Sequence, residues 1–264
     1  MQYHRVDYIA LEKFCVQVFR GYGFDEEKSS RITDVLLDAD LSGIESHGIQ
    51  RLIRYHKEIT DGMVQPDAEL EIVHETPLSA VVEGHDAMGQ LVGCQAMELA
   101  IGKAKRCGFG MVTVRNSNHY GIAGYYAKMA AEQGLIGMSM TNTEAIMVPT
   151  YGRQAMLGTN PIAFAMPAKP VPFVFDAATT VVPRGKLEVY VKRGNGLPLG
   201  WAVDENGRDC SEVLIQIAAV RAAITNIGKV ILQDHIQHCI VDAVEHDDEQ
   251  ALDALCQAID KFVK

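Results

Sequence analysis

The chain has 264 residues, 48% of them hydrophobic, enough for one large or two ordinary domains with a sizeable core. Its net charge of −10 argues against sequence-independent nucleic-acid binding. No apolar run approaches the length of a membrane span, and the opening Met-Gln-Tyr-His-Arg-Val has no signal-peptide apolar region.

Residues 7–21 place Leu11, Phe14, Cys15, Val18 and Phe19 at helical spacing, closed by Gly21 and Gly23. Asp25 reads as the cap of a second helix running to about Ser42. A further helix starting near Ser46 would set His47, Arg51 and Tyr55 four apart on one face, with Leu52 and Ile53 turned to the core. Such a face offers a proton donor, a carboxylate clamp and a hydroxyl, or it is simply a solvated polar face. Residues 62–86 mix Gly, Pro and β-prone runs such as Ala80-Val81-Val82, and 87–107 form a helix stopped by Gly108.

The apolar run Met111 to Val114 predicts a short buried strand, and Ile122 to Gln133 a helix. Between them lies Arg115-Asn-Ser-Asn-His-Tyr-Gly121, at a strand end of the kind where ligands collect in α/β proteins. His119 is the first candidate for proton transfer, because histidine titrates near neutral pH; the alternative is a structural loop histidine. Ile136 to Met140, Ile162 to Met166 and Phe173 to Phe175 read as strands. The small polar loops 141–143, 158–160 and 176–180 can offer N–H groups and hydroxyls to a phosphate or ribose, or be ordinary turns. Neither Gly-x-Gly-x-x-Gly nor a Walker loop occurs, so a bound dinucleotide would not use the usual Rossmann fingerprint.

Taken in order, Glu-Ser-His-Gly-Ile-x-Arg-Leu-x-Arg-Tyr, Asn-Ser-Asn-His-Tyr-Gly, Thr-Asn-Thr, Leu-Gly-Thr-Asn-Pro-Ile-Ala, Asp-x-Ala-Thr and Arg-Gly-Lys form a specific set. It resembles the type 2 malate/L-lactate dehydrogenase family over residues 1 to about 208. The resemblance implies a non-Rossmann, NAD- or NADP-dependent oxidoreductase acting on small 2-hydroxy or 2-keto acids, usually as a dimer. It implies that His119 is the catalytic histidine and that Ser46, His47 and Arg51 form the other active-site motif. It implies that Asn142, Thr143, Asp176, Ala177 and Ala178 contact the cofactor. Val182-Pro183, ahead of Arg184, departs from the small residues usual there.

Beyond the turn signal Asp204-Glu-Asn-Gly-Arg208 the character changes. Val213, Ile217, Val220, Ile224, Ile227 and Ile231 form a heptad-like seam, and Asp247 with Gln250 suggests a second capped helix. His235 and Cys239, four apart, share a helix face suited to a soft metal ion. Cys210 lies about 37 Å away along a continuous helix, so it reaches that face only from another chain. This segment resembles the copper-sensing and formaldehyde-responsive repressor family, which implies Cys210, His235 and Cys239 as Cu(I) or thiol-sensing ligands. The basic first helix of that family is missing, which argues against nucleic-acid binding.

The expectation is therefore an α/β, non-Rossmann malate/L-lactate dehydrogenase-like body over 1–208, truncated, with an all-α helical hairpin over 209–264. A cytoplasmic chain is expected, since the six cysteines are scattered without a Cys-x-x-Cys pair and suit reduced thiols; the resemblance implies a homo-oligomer. The competing reading is a metal- or thiol-responsive sensor module carrying an inactive dehydrogenase remnant.

Overall fold

The computed structural model describes residues 5–149, 154–198 and 200–203. The chain divides into two compact units, Met1–Gly196 and Leu197–Lys264. Almost all described residues belong to the first. The predicted helical hairpin, with Cys210, His235 and Cys239, lies outside the described residues.

The first unit opens with α1 (Tyr8–Gly21) and α2 (Glu26–Leu41). Asp7 and Asp25 cap them, each carboxylate accepting a backbone N–H three residues on, at 2.9 and 2.7 Å. Residues 45–51 then form two single 3-10 turns, Glu45–His47 and Ile49–Arg51, and α3 begins only at Leu52 (Leu52–Thr60). The continuous helix expected from Ser46 is therefore broken, because Gly48 takes an extended backbone between the turns. Ile53 is exposed, contrary to expectation, while Leu52 packs on the core. That core joins α1, α2, α3 and the start of the next long helix through Phe19, Ile32, Leu36, Tyr55, Val64 and Met88.

β1 (Glu71–Glu75), β2 (Ser79–Glu83) and β3 (Met111–Arg115) form the first sheet in that order. β1 and β2 are antiparallel; β2 and β3 are parallel, joined by α4 (Gly89–Cys107). Parallel pairing needs such a crossover. The predicted burial of the 111–114 strand is not met: among the described strands β3 stands at the sheet edge, and Met111 is exposed. Lys103 on α4 is fully buried, held by Glu75 and the Thr76 carbonyl at 2.7 Å each.

α5 (Ala123–Glu132) precedes a second sheet, the antiparallel meander β4 (Gly137–Met140), β5 (Ile162–Met166) and β6 (Phe173–Ala177). Ala123, Ala127 and Ala131, spaced four apart on α5, pack on Ala163 and Ala165, spaced two apart on β5. Small residues on both sides let helix and sheet approach closely. The other face of the sheet is apolar: Met138 pairs across Phe164 to Phe175, and Met140, Ile162 and Phe173 are exposed beside them. α6 (Arg184–Lys192) closes the unit; Pro183 stands before its first turn and Val182 is buried there. Among the described residues, no helix is long and apolar enough to cross a membrane.

Candidate active site

Three separate pieces of the chain build the Ser46–Arg51 motif. Asp40, near the end of α2, accepts the Ile49 N–H at 2.7 Å and anchors the second 3-10 turn. Ser46 and Arg51 are buried. The Ser46 hydroxyl bonds His47 Nδ1 at 2.9 Å, and Arg51 Nε donates to the Ser46 carbonyl at 2.6 Å. α6 lies against this motif: Arg51 pairs with Glu188 at 2.9 Å, and Arg193 with Glu45 at 2.6 Å. A Cβ at Gly185 would stand 2.3 Å from Arg51 Nη2 and 2.9 Å from the Ser46 carbonyl, so only glycine allows this approach.

The 115–121 loop is held as tightly. Asn116 adopts a left-handed backbone, φ 50°, which asparagine tolerates. Asn118 spreads its amide over the carbonyls of Met63, Asp86 and Ala87 at 3.2, 2.8 and 3.2 Å. Gly89, first residue of α4, lets that helix touch the loop: a Cβ there would lie 2.3 Å from the Asn118 carbonyl oxygen and 2.4 Å from that of His119.

These constraints bring His119 to Tyr55. The Tyr55 hydroxyl meets His119 Nδ1 at 2.7 Å, and the Gly121 N–H donates to the same nitrogen at 3.4 Å. The His47 and His119 rings stack at 5.5 Å between centroids, 20° between planes. Two of the residues singled out on the 46–55 stretch, His47 and Tyr55, thus converge with the loop histidine, although they do not share one continuous helix. Tyr55 is fully buried, while both histidines keep partial exposure.

Burial, and then the guanidinium charges of Arg51 and Arg54, lower His47 to about 4. Burial again comes first for His119, followed by Arg54, His47 and Arg51, and holds its imidazole well below the ordinary value. Burial pushes the Tyr55 hydroxyl up, against the opposing pull of both arginines. At neutral pH the site therefore presents two uncharged imidazoles and a protonated phenol beside buried positive charge. An uncharged imidazole is a proton acceptor.

The three polar loops also meet. The Thr143 N–H donates to the Asn160 side-chain oxygen at 3.0 Å, and Thr143 Oγ1 accepts the Thr159 N–H at 2.8 Å. Thr179 donates its N–H and hydroxyl to the Thr159 carbonyl at 2.9 and 3.2 Å. Asp176 accepts the Gly124 N–H at the start of α5, at 2.6 Å, and burial raises its carboxyl. Ala177 ends β6, opposite Ile162, and Ala178 follows it. A cavity of about 470 Å³ lies elsewhere, lined by Glu71, Glu83, His85, Asp86 and Arg115 among others, and includes none of these residues.

The model of the malate/L-lactate dehydrogenase family matches residues 6–229. The chain belongs to this family. It is 51% identical over 205 residues to the malate dehydrogenase of Pyrococcus abyssi, covering 78% of this chain and 57% of that protein. It is 42% identical over 201 residues to the L-sulfolactate dehydrogenase of Methanocaldococcus jannaschii, covering 76% and 58%. The crystal structure of malate dehydrogenase from Entamoeba histolytica superposes with a TM-score of 0.76 at 40% identity, over 79% of this chain and 58% of that one. The chain thus spans somewhat over half the length of the relatives it matches. A metal-sensitive transcriptional repressor model also matches residues 202–261, overlapping the dehydrogenase match over 202–229.

Two residues of this dehydrogenase-family site carry no local signal in the sequence. Glu188 pairs with Arg51 across 137 positions. Gln90 is wholly buried beside Tyr55 on an otherwise ordinary helix. Among the described residues, no group of three or more His, Cys, Asp or Glu side chains could hold a metal ion.

Proposed function

We propose that the chain is a nicotinamide-dependent dehydrogenase of small 2-hydroxy acids of the malate, sulfolactate or lactate class. The observation that carries this reading is an uncharged His119, bonded by Tyr55 and stacked on His47, beside the buried Arg51. Family membership supports it, as do the names of the relatives. His119 takes the proton of the substrate hydroxyl while the α-carbon gives up a hydride and the C–O bond becomes a carbonyl. Arg51, pinned by Ser46 and Glu188, supplies positive potential for the substrate carboxylate, and Ser46 and His47 complete that wall.

When bound, the nicotinamide cofactor supplies the hydride acceptor. Asn142, Thr143, Asp176, Ala177 and Ala178 would hold it, with Thr159 and Thr179. The described loops fit such a group through threonine hydroxyls and a carboxylate, which suit ribose hydroxyls. The Gly124 N–H at the head of α5 is already taken by Asp176. The choice between NAD and NADP goes to the experiment.

We place the dehydrogenase-like body at 1–208 and read the chain as cytoplasmic and homo-oligomeric. The free thiols of Cys15, Cys94 and Cys107 agree with a reducing compartment. A second reading, a Cu(I)- or thiol-responsive module over 209–264 using Cys210, His235 and Cys239, is favoured only by the repressor match at 202–261. Steady-state assays with malate, sulfolactate and lactate, each with NAD and NADP, test the main reading. Turnover should be detectable with at least one of them. His119→Ala should lower it by roughly a hundredfold or more. Unchanged turnover in His119→Ala removes that residue from the role, and no NADH binding by fluorescence titration removes the dehydrogenase reading.

A further inference from the structure

Gln90 is an anomaly. It stands in the first turn of α4, has no exposed surface, and leaves both amide atoms without a hydrogen-bond partner. Native proteins rarely bury an unpaired amide, and those that persist need a reason. Its amide lies beside the Tyr55 hydroxyl, close enough to favour the ionised phenol but outside hydrogen-bonding geometry. Tyr55 in turn contacts His119 Nδ1 at 2.7 Å.

The structure assigns Gln90 a positioning role: acting through Tyr55, it sets the balance between the two tautomers of the His119 ring. The direction follows from the donors on the page. The Gly121 N–H can only donate, and it faces Nδ1. Nδ1 is then an acceptor, the Tyr55 O–H also points at it, and the neutral ring carries its proton on Nε2. A phenol that donates to His119 has lone pairs to fill, and the amide NH2 of Gln90 is the donor at hand. In the reverse polarity, Nδ1–H donates to the phenol oxygen and the phenol O–H to the Gln90 carbonyl. An amide unpaired at both atoms can serve either polarity. A reversible hydroxy-acid dehydrogenase uses both, a ring N–H toward a keto oxygen and a ring lone pair toward a hydroxyl. This inference rests on His119 being the proton-transfer group.

The test is ¹⁵N NMR of His119 in the full chain, with kinetics alongside. Wild type should show Nε2–H as the main tautomer. Gln90→Met keeps the volume and removes the amide; the tautomer ratio should shift at least several-fold, and kcat should fall roughly tenfold or more with KM nearly unchanged. Tyr55→Phe should disturb the ratio as much as Gln90→Met, and the double variant no more than either. A filler role predicts the opposite: Gln90→Met raises the melting temperature and leaves the His119 resonances and kcat untouched, and that result overturns the proposal. If wild type turns nothing over, the dehydrogenase reading fails, while the tautomer measurement still decides the role of Gln90.

Discussion

Gly89→Ala tests whether the contact between α4 and the histidine loop sets the geometry of the site. An alanine Cβ would stand 2.3 and 2.4 Å from the carbonyl oxygens of Asn118 and His119. Ordinary carbon–oxygen contact needs about 3.3 Å, so the backbones must part by about 1 Å. No side chain can yield instead, because both clashing atoms are main chain. Overpacking of this kind costs about 1–3 kcal/mol, and alanine in a helix returns about 0.5–1 kcal/mol of that over glycine. The net loss is up to about 2.5 kcal/mol, a drop of up to roughly 10 °C in melting temperature for a unit of this size. The effect on chemistry should be larger, because a displacement of about 1 Å can lower a rate roughly a hundredfold. Calorimetry and steady-state kinetics on the same preparation separate the two. His119 should also titrate nearer its ordinary value once water enters the gap. A variant that melts lower but keeps wild-type kcat and the wild-type His119 titration would refute the reasoning.

Stability should fall with acid between about pH 6.5 and 4. The unfolded chain takes up a proton at His47 near its ordinary value while the folded chain resists to about 4, so the unfolded state gains by up to about 3 kcal/mol across that window. Denaturant titrations at pH 7 and 4.5 should show a smaller loss for His47→Gln than for wild type; equal losses would exclude His47 as the source. Arg51→Lys keeps a charge but loses the planar fork that meets Ser46 and Glu188 together, and should raise KM for a 2-keto acid roughly tenfold or more; an unchanged KM would take Arg51 out of substrate binding. Glu188→Ala leaves the Arg51 guanidinium buried without its partner and should cost about 1–3 kcal/mol by chemical denaturation; a loss under about 0.5 kcal/mol would show that water replaces the carboxylate.

Much of the frame was legible because its signals are local. Asp25 caps where its spacing to the apolar stripe says it should, Gly108 ends α4, and Ala123 to Glu132 follows the predicted helix. The reading failed where a long-range partner or an edge decided the outcome. The i, i+4 ladder from His47 to Tyr55 assumed one helix, whereas Asp40 fixes Ile49 in a 3-10 turn and delays α3 to Leu52. His47 and Tyr55 still meet His119, by a route that spacing cannot show. Met111 to Val114 reads as buried from its side chains alone, but among the described residues no strand pairs beyond β3 in its sheet. The pairing of Arg51 with Glu188 was invisible because the partners lie far apart in sequence, and Gln90 because a glutamine in a helix draws no notice until its surroundings are known.

The lacing of Thr143, Thr159, Asn160 and Thr179 has a kinetic corollary. The Thr143 amide closes on Asn160, the Thr159 amide on Thr143, and the Thr179 amide on Thr159, so each loop's proton is guarded by the next loop. None can exchange with deuterium until its neighbour swings away. The three segments, up to 36 positions apart from Thr143 to Thr179, should then take up label in step as one small opening unit, and a cofactor fragment that holds any one of them should slow all three.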